Sequence, residues 1–327
     1  MSRPIRTSAQ IVVPVMCLFG VFSLLLIPIP SETFFWKAVG AFAHVPLFGF
    51  VAILLLRWSR MWNGAAALAP LRPYRFAMVG VLGFALLTEV LQSLSATRHP
   101  EISDVGRDLL GATCALGWSL TCDQKMPGKW AQWSQFPRNM IIRLCVVLIL
   151  GLTLLPVAGW IYAYWDRAMR FPDFLQFSSS WEMKFVKTSD SDVQIVPPPA
   201  GWKKSAEDRV GRVVFHTKKY PSIRINEPYP DWRRYSHFKL DIFSELSMPQ
   251  LITILIDDLH HNNQYSDRFN KAITIAPGLN HIQIPIEDIR QAPVSREMDL
   301  SAIKAVLLFA VNPPEEFSLY IDNIRLE

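Results

Sequence analysis

Five apolar runs crowd the first half of this 327-residue chain, and they limit its fold more than any other feature. They cover residues 11–28, 38–56, 76–94, 105–121 and 141–165. Each is near the ~20 residues that carry an α-helix across ~30 Å of hydrocarbon. Residues 1–165 are therefore expected to form a transmembrane bundle of five helices. The first run follows Arg3 and Arg6 as a signal peptide would, but residues 29–32, Ile-Pro-Ser-Glu, offer no small-residue cleavage pattern, so it reads as an uncleaved helix.

Loop charges orient this bundle, because Lys and Arg of short loops stay on the cytoplasmic side. Arg3, Arg6, Arg57, Arg60, Arg72, Arg75, Lys125, Lys129, Arg138 and Arg143, ten in all, fall in one set of connections. The opposite set holds only Lys37, Arg98 and Arg107. The expected orientation has the N-terminus in the cytoplasm and everything after residue 165 outside it, with the lipid bilayer as the chain's first partner. The net charge of +5 and pI near 9.0 follow from this arrangement. No basic patch with interleaved aromatics points to nucleic acid. The four cysteines, Cys17, Cys114, Cys122 and Cys145, all precede residue 165 and none is in CxxC spacing, so neither a disulfide framework nor a zinc site is expected. No motif calls for a cofactor.

Residues 88–111, TEVLQSLSATRHPEISDVGRDLLG, interrupt the apolar pattern with ionisable groups, which are expensive at membrane depth and mark a functional site by default. Helical spacing puts Glu89 and Gln92 on one face, and Asp104 and Asp108 on another. His44 lies ~9 Å in from the outer end of the second run and Glu89 ~8 Å in from the outer end of the third, at a rise of ~1.5 Å per residue. His44, Glu89 and Gln92 are thus expected to meet beneath the outer surface, with Arg98, His99, Glu101, Asp104 and Asp108 above them. A histidine among carboxylates suits acid–base work or a divalent cation, which makes His44, Glu89, Asp104 and Asp108 the catalytic candidates. Gln92, Arg98 and Arg107 are ligand contacts, the arginines suited to a phosphate. The competing reading is a polar clasp: Glu89 pairs with Arg98 or His44, Asp104 caps its helix, and Gly106, Gly111 and Ala115 let helices pack closely.

On these residues, over roughly residues 36–117, the chain resembles the VanZ-like family of small bacterial membrane proteins. The resemblance rests on His44 in AHVPLFG, Glu89-x-x-Gln92, Arg98, Asp104-Val105 and Gly111. Two departures accompany it: no Asp-Lys pair stands just before His44, and Asp108 occupies a position where many members have Asn. What the resemblance implies is a protein of the bacterial inner membrane linked to the envelope.

After residue 165 the pattern changes to short alternating runs. Residues 166–180 read as a linker, and residues 181–327 as a second domain. Strands are expected at residues 181–186, 212–217, 237–243, 251–256, 271–275, 281–286, 305–311 and 317–324, separated by turn signals such as Pro197-Pro198-Pro199, Pro277-Gly278 and Asn312-Pro313-Pro314. This spacing predicts an antiparallel β-sandwich. Its close, IEDI, then AVLLFAV, then FSLYIDNIRLE, resembles the last strands of galactose-binding-like, carbohydrate-binding jelly rolls. Sugar platforms need exposed rings, and Trp202, Trp232, Tyr235 and Tyr265 are the available ones. The polar run His260, His261, Asn262 and Asn263 beside Tyr265 is too dense for core and marks residues 257–267 as the preferred loop. Asp322 reads as a structural acid.

Taken together, the two halves imply an envelope protein that binds a glycan or glycolipid outside the membrane and carries an outward-facing polar site within it. An enzyme acting on a lipid-linked phosphate or sugar, and a structural protein whose polar cluster only clasps helices, are the alternatives.

Overall fold

The computed structural model describes residues 9–26, 33–63, 71–93, 101–123, 135–229 and 231–327. The chain divides into two compact units at Ile161 and Tyr162. The first is helical: α1 (Ala9–Leu26), α2 (Phe34–Asn63), α3 (Arg72–Ser93), α4 (Ile102–Thr121) and most of α5 (Gln135–Arg170). Among the described residues, three helices are long and apolar enough to cross a membrane: Phe34–Met61, Arg72–Ser93 and Pro137–Arg170. A shorter apolar helix covers Val12–Leu24. α4 has 20 residues and carries Asp104, Arg107 and Asp108 in its first two turns.

α2 is the central element of this unit, with α3 and α4 packed on it. Its buried stripe, Val45, Phe48, Val51, Ala52, Leu55 and Leu56, repeats at three and four residues, so one face meets both neighbours. α3 answers with Tyr74, Ala77, Val81 and Ala85, and α4 with Ala112 and Leu116. At one end Arg60 of α2 donates to Asp123 at 2.5 Å and to Tyr74 Oη at 2.8 Å, tying three helices together. α5 differs, since Ile141, Leu144, Val147, Leu148, Leu152 and Leu155 are all exposed.

The second unit is a two-sheet sandwich in which every strand pair is antiparallel. Its strands are β1 (Asp173–Leu175), β2 (Val186–Ser189), β3 (Ser191–Val196), β4 (Val210–Phe215), β5 (Ser222–Asn226), β6 (His237–Ser244), β7 (Gln250–Asp258), β8 (Phe269–Ile275), β9 (Gly278–Pro285), β10 (Ile303–Phe309) and β11 (Phe317–Leu326). One sheet runs β3-β4-β11-β6-β9, with β1 also on β11; the other runs β2-β5-β10-β7-β8. Inward residues of both sheets form one core that includes Phe215, Ile225, Phe238, Ile254, Val306 and Ile321. Gly211 of β4 is required by close approach: a Cβ there would fall 2.3 Å from the ring of Phe177.

Several expected elements are corrected. Residues 181–186 are not a strand but a 3-10 turn, Glu182–Phe185, leading into β2. β1, β3 and β5, and a short helix α6 (Ile286–Arg290), were not anticipated. β3 is an edge strand with four of its six residues polar or exposed, so it lacks the apolar alternation that marks a strand. Residues 166–180 are also more ordered than a linker. α5 continues to Arg170, β1 follows, and buried Glu182 accepts from Arg170 Nη1 at 2.7 Å, Ser178 Oγ at 2.8 Å and the Gln176 amide at 2.8 Å. Arg167 is buried against the ring of Phe185, 3.3 Å from its centroid, and donates to the Asn226 carbonyl at 3.1 Å.

The closing IDN pattern now has a local cause. Asn323 sits at φ 54°, a left-handed conformation that Asn tolerates better than most residues, and the β11–β6 register shifts between Asp322 and Arg325. The Asn323 amide donates to Asp241 at 2.6 Å, while Lys204 pairs with buried Asp322.

One acid of this unit predicts a pH effect. Asp257 of β7 is buried, and burial raises its carboxyl above the usual range while Arg224, 3.5 Å away, offsets this only in part. The folded state holds that proton more tightly than the unfolded chain does. The resulting stabilisation is complete below the ordinary value of 3.8 and is lost as pH rises through the raised value. Asp257→Asn is expected to melt above wild type at pH 7, with the difference gone at pH 3.5; thermal melts at the two pH values check this.

Candidate functional site

The buried stripes of α2, α3 and α4 all turn polar at the same end of the bundle. On α3 the series Tyr74, Ala77, Val81, Ala85 continues into Thr88, Glu89 and Gln92, every one of them buried. On α4 Asp108, fully buried, precedes Gly111 and Ala112 on the packed face. On α2 His44 stands one position before Val45 and is 7% exposed. Because α2 and α4 run side by side in the same direction, these ends coincide.

The contacts are direct. His44 Nδ1 lies 2.8 Å from Asp108 Oδ1, and its Nε2 lies 3.8 Å from Asp104 Oδ2. Its ring stacks on Phe48, 6.2 Å between centroids. Asp104 pairs with Arg107, whose guanidinium also reaches Ser103 Oγ at 3.3 Å. Glu89 Oε2 accepts the Glu101 amide at 3.1 Å. What permits this approach is Gly111: a Cβ there would lie 2.0 Å from the Val45 carbonyl oxygen, so the backbones of α2 and α4 are in contact at the residue next to the histidine and about one turn past Asp108.

Among the described residues, three carboxylates therefore face one arginine and one histidine, and the acids are not fully used. Glu89 Oε1 and Asp108 Oδ2 are buried and accept no hydrogen bond from any described residue. A buried acceptor left unmade costs about 1–3 kcal/mol, and more when it is charged. Among the described residues no group of three His, Cys, Asp or Glu side chains is arranged to hold a metal ion. The structure thus brings together His44, Glu89, Asp104 and Asp108, with Arg107 bound to Asp104 and Gln92 buried on the face of Glu89. Arg98 and His99 lie outside the described residues.

In the sandwich, the loop between β7 and β8 is braced from beneath. Arg296 makes a two-pronged contact with fully buried Asp258, at 2.5 and 2.7 Å, and donates through Nε to Asp267 at 2.6 Å. It holds the Asp267 carboxyl below the usual range. Asp258 also accepts the Asp299 amide at 2.8 Å, and Asp267 accepts the Asn262 amide at 2.8 Å. Above this network Tyr265 is 73% exposed, with the Arg268 guanidinium 5.5 Å from its ring. Asn262, Asn263 and Gln264 are exposed beside it, and His260 lies 3.5 Å from Asp299.

Other expected sugar contacts are corrected. Trp232 is completely buried, stacked on Phe238 at 5.6 Å, with its indole N–H donating to the Tyr229 carbonyl at 2.8 Å, so it is core. Trp202 is buried on Phe243, and Tyr235 packs against the core. His261 turns inward and donates to the Asp267 carbonyl at 3.0 Å, bracing the loop rather than facing solvent. Of the four rings proposed from sequence, Tyr265 alone offers an open face. Arg296 was missed, because nothing local links it to Asp258, 38 residues earlier.

No family model matches the chain, and no curated protein matches it. Its neighbours among solved structures include carbohydrate-binding modules and agarases. A family 11 carbohydrate-binding module from Clostridium thermocellum, in complex with a beta-1,3-1,4-mixed-linked tetrasaccharide, is 19% identical with a TM-score of 0.34, over 43% of this chain and 86% of that one. A family 30 carbohydrate-binding module of a Clostridium thermocellum cellulosomal cellulase is 10% identical with a TM-score of 0.34, over 44% and 91%. An exo-beta-agarase is 15% identical with a TM-score of 0.38, over 47% of this chain and 24% of that one.

Proposed function

We propose that this chain is a multi-pass protein of the bacterial inner membrane, VanZ-like in its helical unit, that binds a glycolipid or glycan of the envelope. The N-terminus lies in the cytoplasm and the sandwich outside it, as the loop charges direct. The observation that carries the reading is the pair of buried carboxylate oxygens, Glu89 Oε1 and Asp108 Oδ2, without a donor among the described residues. Two acceptors set among three carboxylates call for a ligand that donates. Sugar hydroxyls do so, and among the described residues the arginine at the cluster, Arg107, is already paired with Asp104. In the sandwich, the exposed Tyr265 ring over a rigid base suits the apolar face of a pyranose, with Asn262, Asn263 and His260 for its hydroxyls.

The test is binding by the full chain, held in amphipol, of decyl and methyl β-D-glucopyranoside. Glu89→Gln is expected to weaken both at least tenfold, the loss of a charged acceptor being about 1.4 kcal/mol or more. An unchanged affinity, or no binding of either glycoside, overturns the reading. On an array of envelope oligosaccharides, Tyr265→Ala is expected to lower binding about tenfold and leave the melting temperature unmoved, since an exposed side chain contributes within ~0.5 kcal/mol to stability.

A further inference from the structure

The helical unit contains a groove of about 560 Å³ that the polar site does not use. Its floor is the seam of α2 and α4, where Gly49, Gly111 and Ala115 keep the surface low. A Cβ on Gly49 would meet Gly111 O at 3.3 Å and the Ala115 Cβ at 3.5 Å. One wall is Phe50, Ile53 and Trp118, and the other is Val146, Val147 and Leu150 of α5. Cys114 also lines it. Apart from Ser119 at the far end, the lining side chains carry no strongly polar group.

Its position gives it meaning. The groove starts at Val45 and Gly111, the residue after His44 and the third residue after Asp108, and from there α2 and α4 lead it away from the cluster. From Val45 to Ile53 it follows α2 for about 12 Å at 1.5 Å per residue, the length of roughly eight to ten extended methylenes. None of the cluster side chains lines the groove, but its first residues follow His44 and Asp108 on the same two helices, and Glu89 Oε1 and Asp108 Oδ2 have no donor among the described residues. An apolar trough that starts next to such acceptors is matched by one kind of occupant, an amphiphile. We infer that the ligand is a lipid-linked sugar whose head binds at His44, Glu89 and Asp108 and whose hydrocarbon chain lies in the α2–α4–α5 groove. This rests on the glycolipid reading above and adds the chain to it.

Cys114 reports on the groove directly. In a full-length Cys17→Ser/Cys122→Ser/Cys145→Ser variant held in amphipol, Cys114 is the one thiol left, and its alkylation rate by N-ethylmaleimide is measured with and without glycoside. Decyl β-D-glucopyranoside is expected to slow alkylation at least fivefold, and methyl β-D-glucopyranoside not to slow it. Affinity should rise about fourfold per methylene up to roughly decyl, as expected for burial of each CH₂. Ala115→Phe, which fills the groove, should bring the decyl affinity down to the methyl value while methyl binding stays as in wild type. If decyl binding depends on Glu89 but leaves Cys114 equally reactive and ignores Ala115→Phe, the groove assignment falls and the head site stands. If Cys114 is protected but Glu89→Gln has no effect, the groove holds a chain and the head-site reading falls. Binding of neither glycoside overturns both.

Discussion

Gly111→Leu is expected to destabilise the helical unit by more than about 3 kcal/mol and to abolish glycoside binding. The hydrogen on Gly111 faces the Val45 carbonyl, and even a methyl in its place would come to 2.0 Å from that oxygen. The opposing atom is backbone, so no rotamer change relieves the clash and the two helices must separate. Separation breaks the 2.8 Å contact between His44 and Asp108, which straddles the same seam. It also uncovers the Phe48 and Ala52 packing on α2. Gly20→Ala, where a Cβ meets nothing within 4 Å, is the control and should be silent. Thermal melts with the glycoside titration read both consequences.

Arg296→Ala is the second large effect, with an expected cost of about 3–5 kcal/mol to the sandwich. It leaves Asp258, fully buried, without its two-pronged partner, and a buried charge stripped of its counterion costs far more than the pair contributes. Asp267 loses the same partner, so both ends of the loop beneath Tyr265 come free. Binding at Tyr265 should fall along with stability. Arg296→Ala/Asp258→Asn, which removes the orphaned charge, is expected to recover part of the stability without restoring binding. Equal stability of Arg296→Ala and wild type would show that the network does not brace the loop.

Much of this was legible in the sequence because it depends on local periodicity. The helices follow from apolar runs, and their ends shift by only a few turns. His44, Glu89, Asp104 and Asp108 stood out because charge in an apolar stretch has few innocent explanations. Gly111 signalled close packing without naming Val45 as the partner. In the sandwich, most strands with strong alternation were readable; β3 was not, since SDVQIV carries too much polarity, and β5 was passed over because SIRIN, although it alternates, is only five residues long. Trp232 misled because it stands in DWRRY, a segment that reads as a surface turn. The residues that bury it, Phe174 and Phe238, come from β1 and β6 and leave no mark near it in the chain. Arg296 failed for the same reason: its partners Asp258 and Asp267 are fixed by tertiary structure alone.

The helical cluster is either a site or a clasp, and the two differ in sign. A clasp residue stabilises the bundle, whereas a site residue held ready for a ligand is a cost to it. Glu89 and Asp108 each bury a carboxylate oxygen that no described residue satisfies, so neutralising them should relieve the bundle. The deciding measurement is the melting temperature of full-length Glu89→Gln and Asp108→Asn beside their affinity for decyl β-D-glucopyranoside. The account predicts melting temperatures equal to or above wild type, with affinity lowered at least tenfold in both. Lower melting temperatures with unchanged affinity would contradict it and make the cluster a clasp.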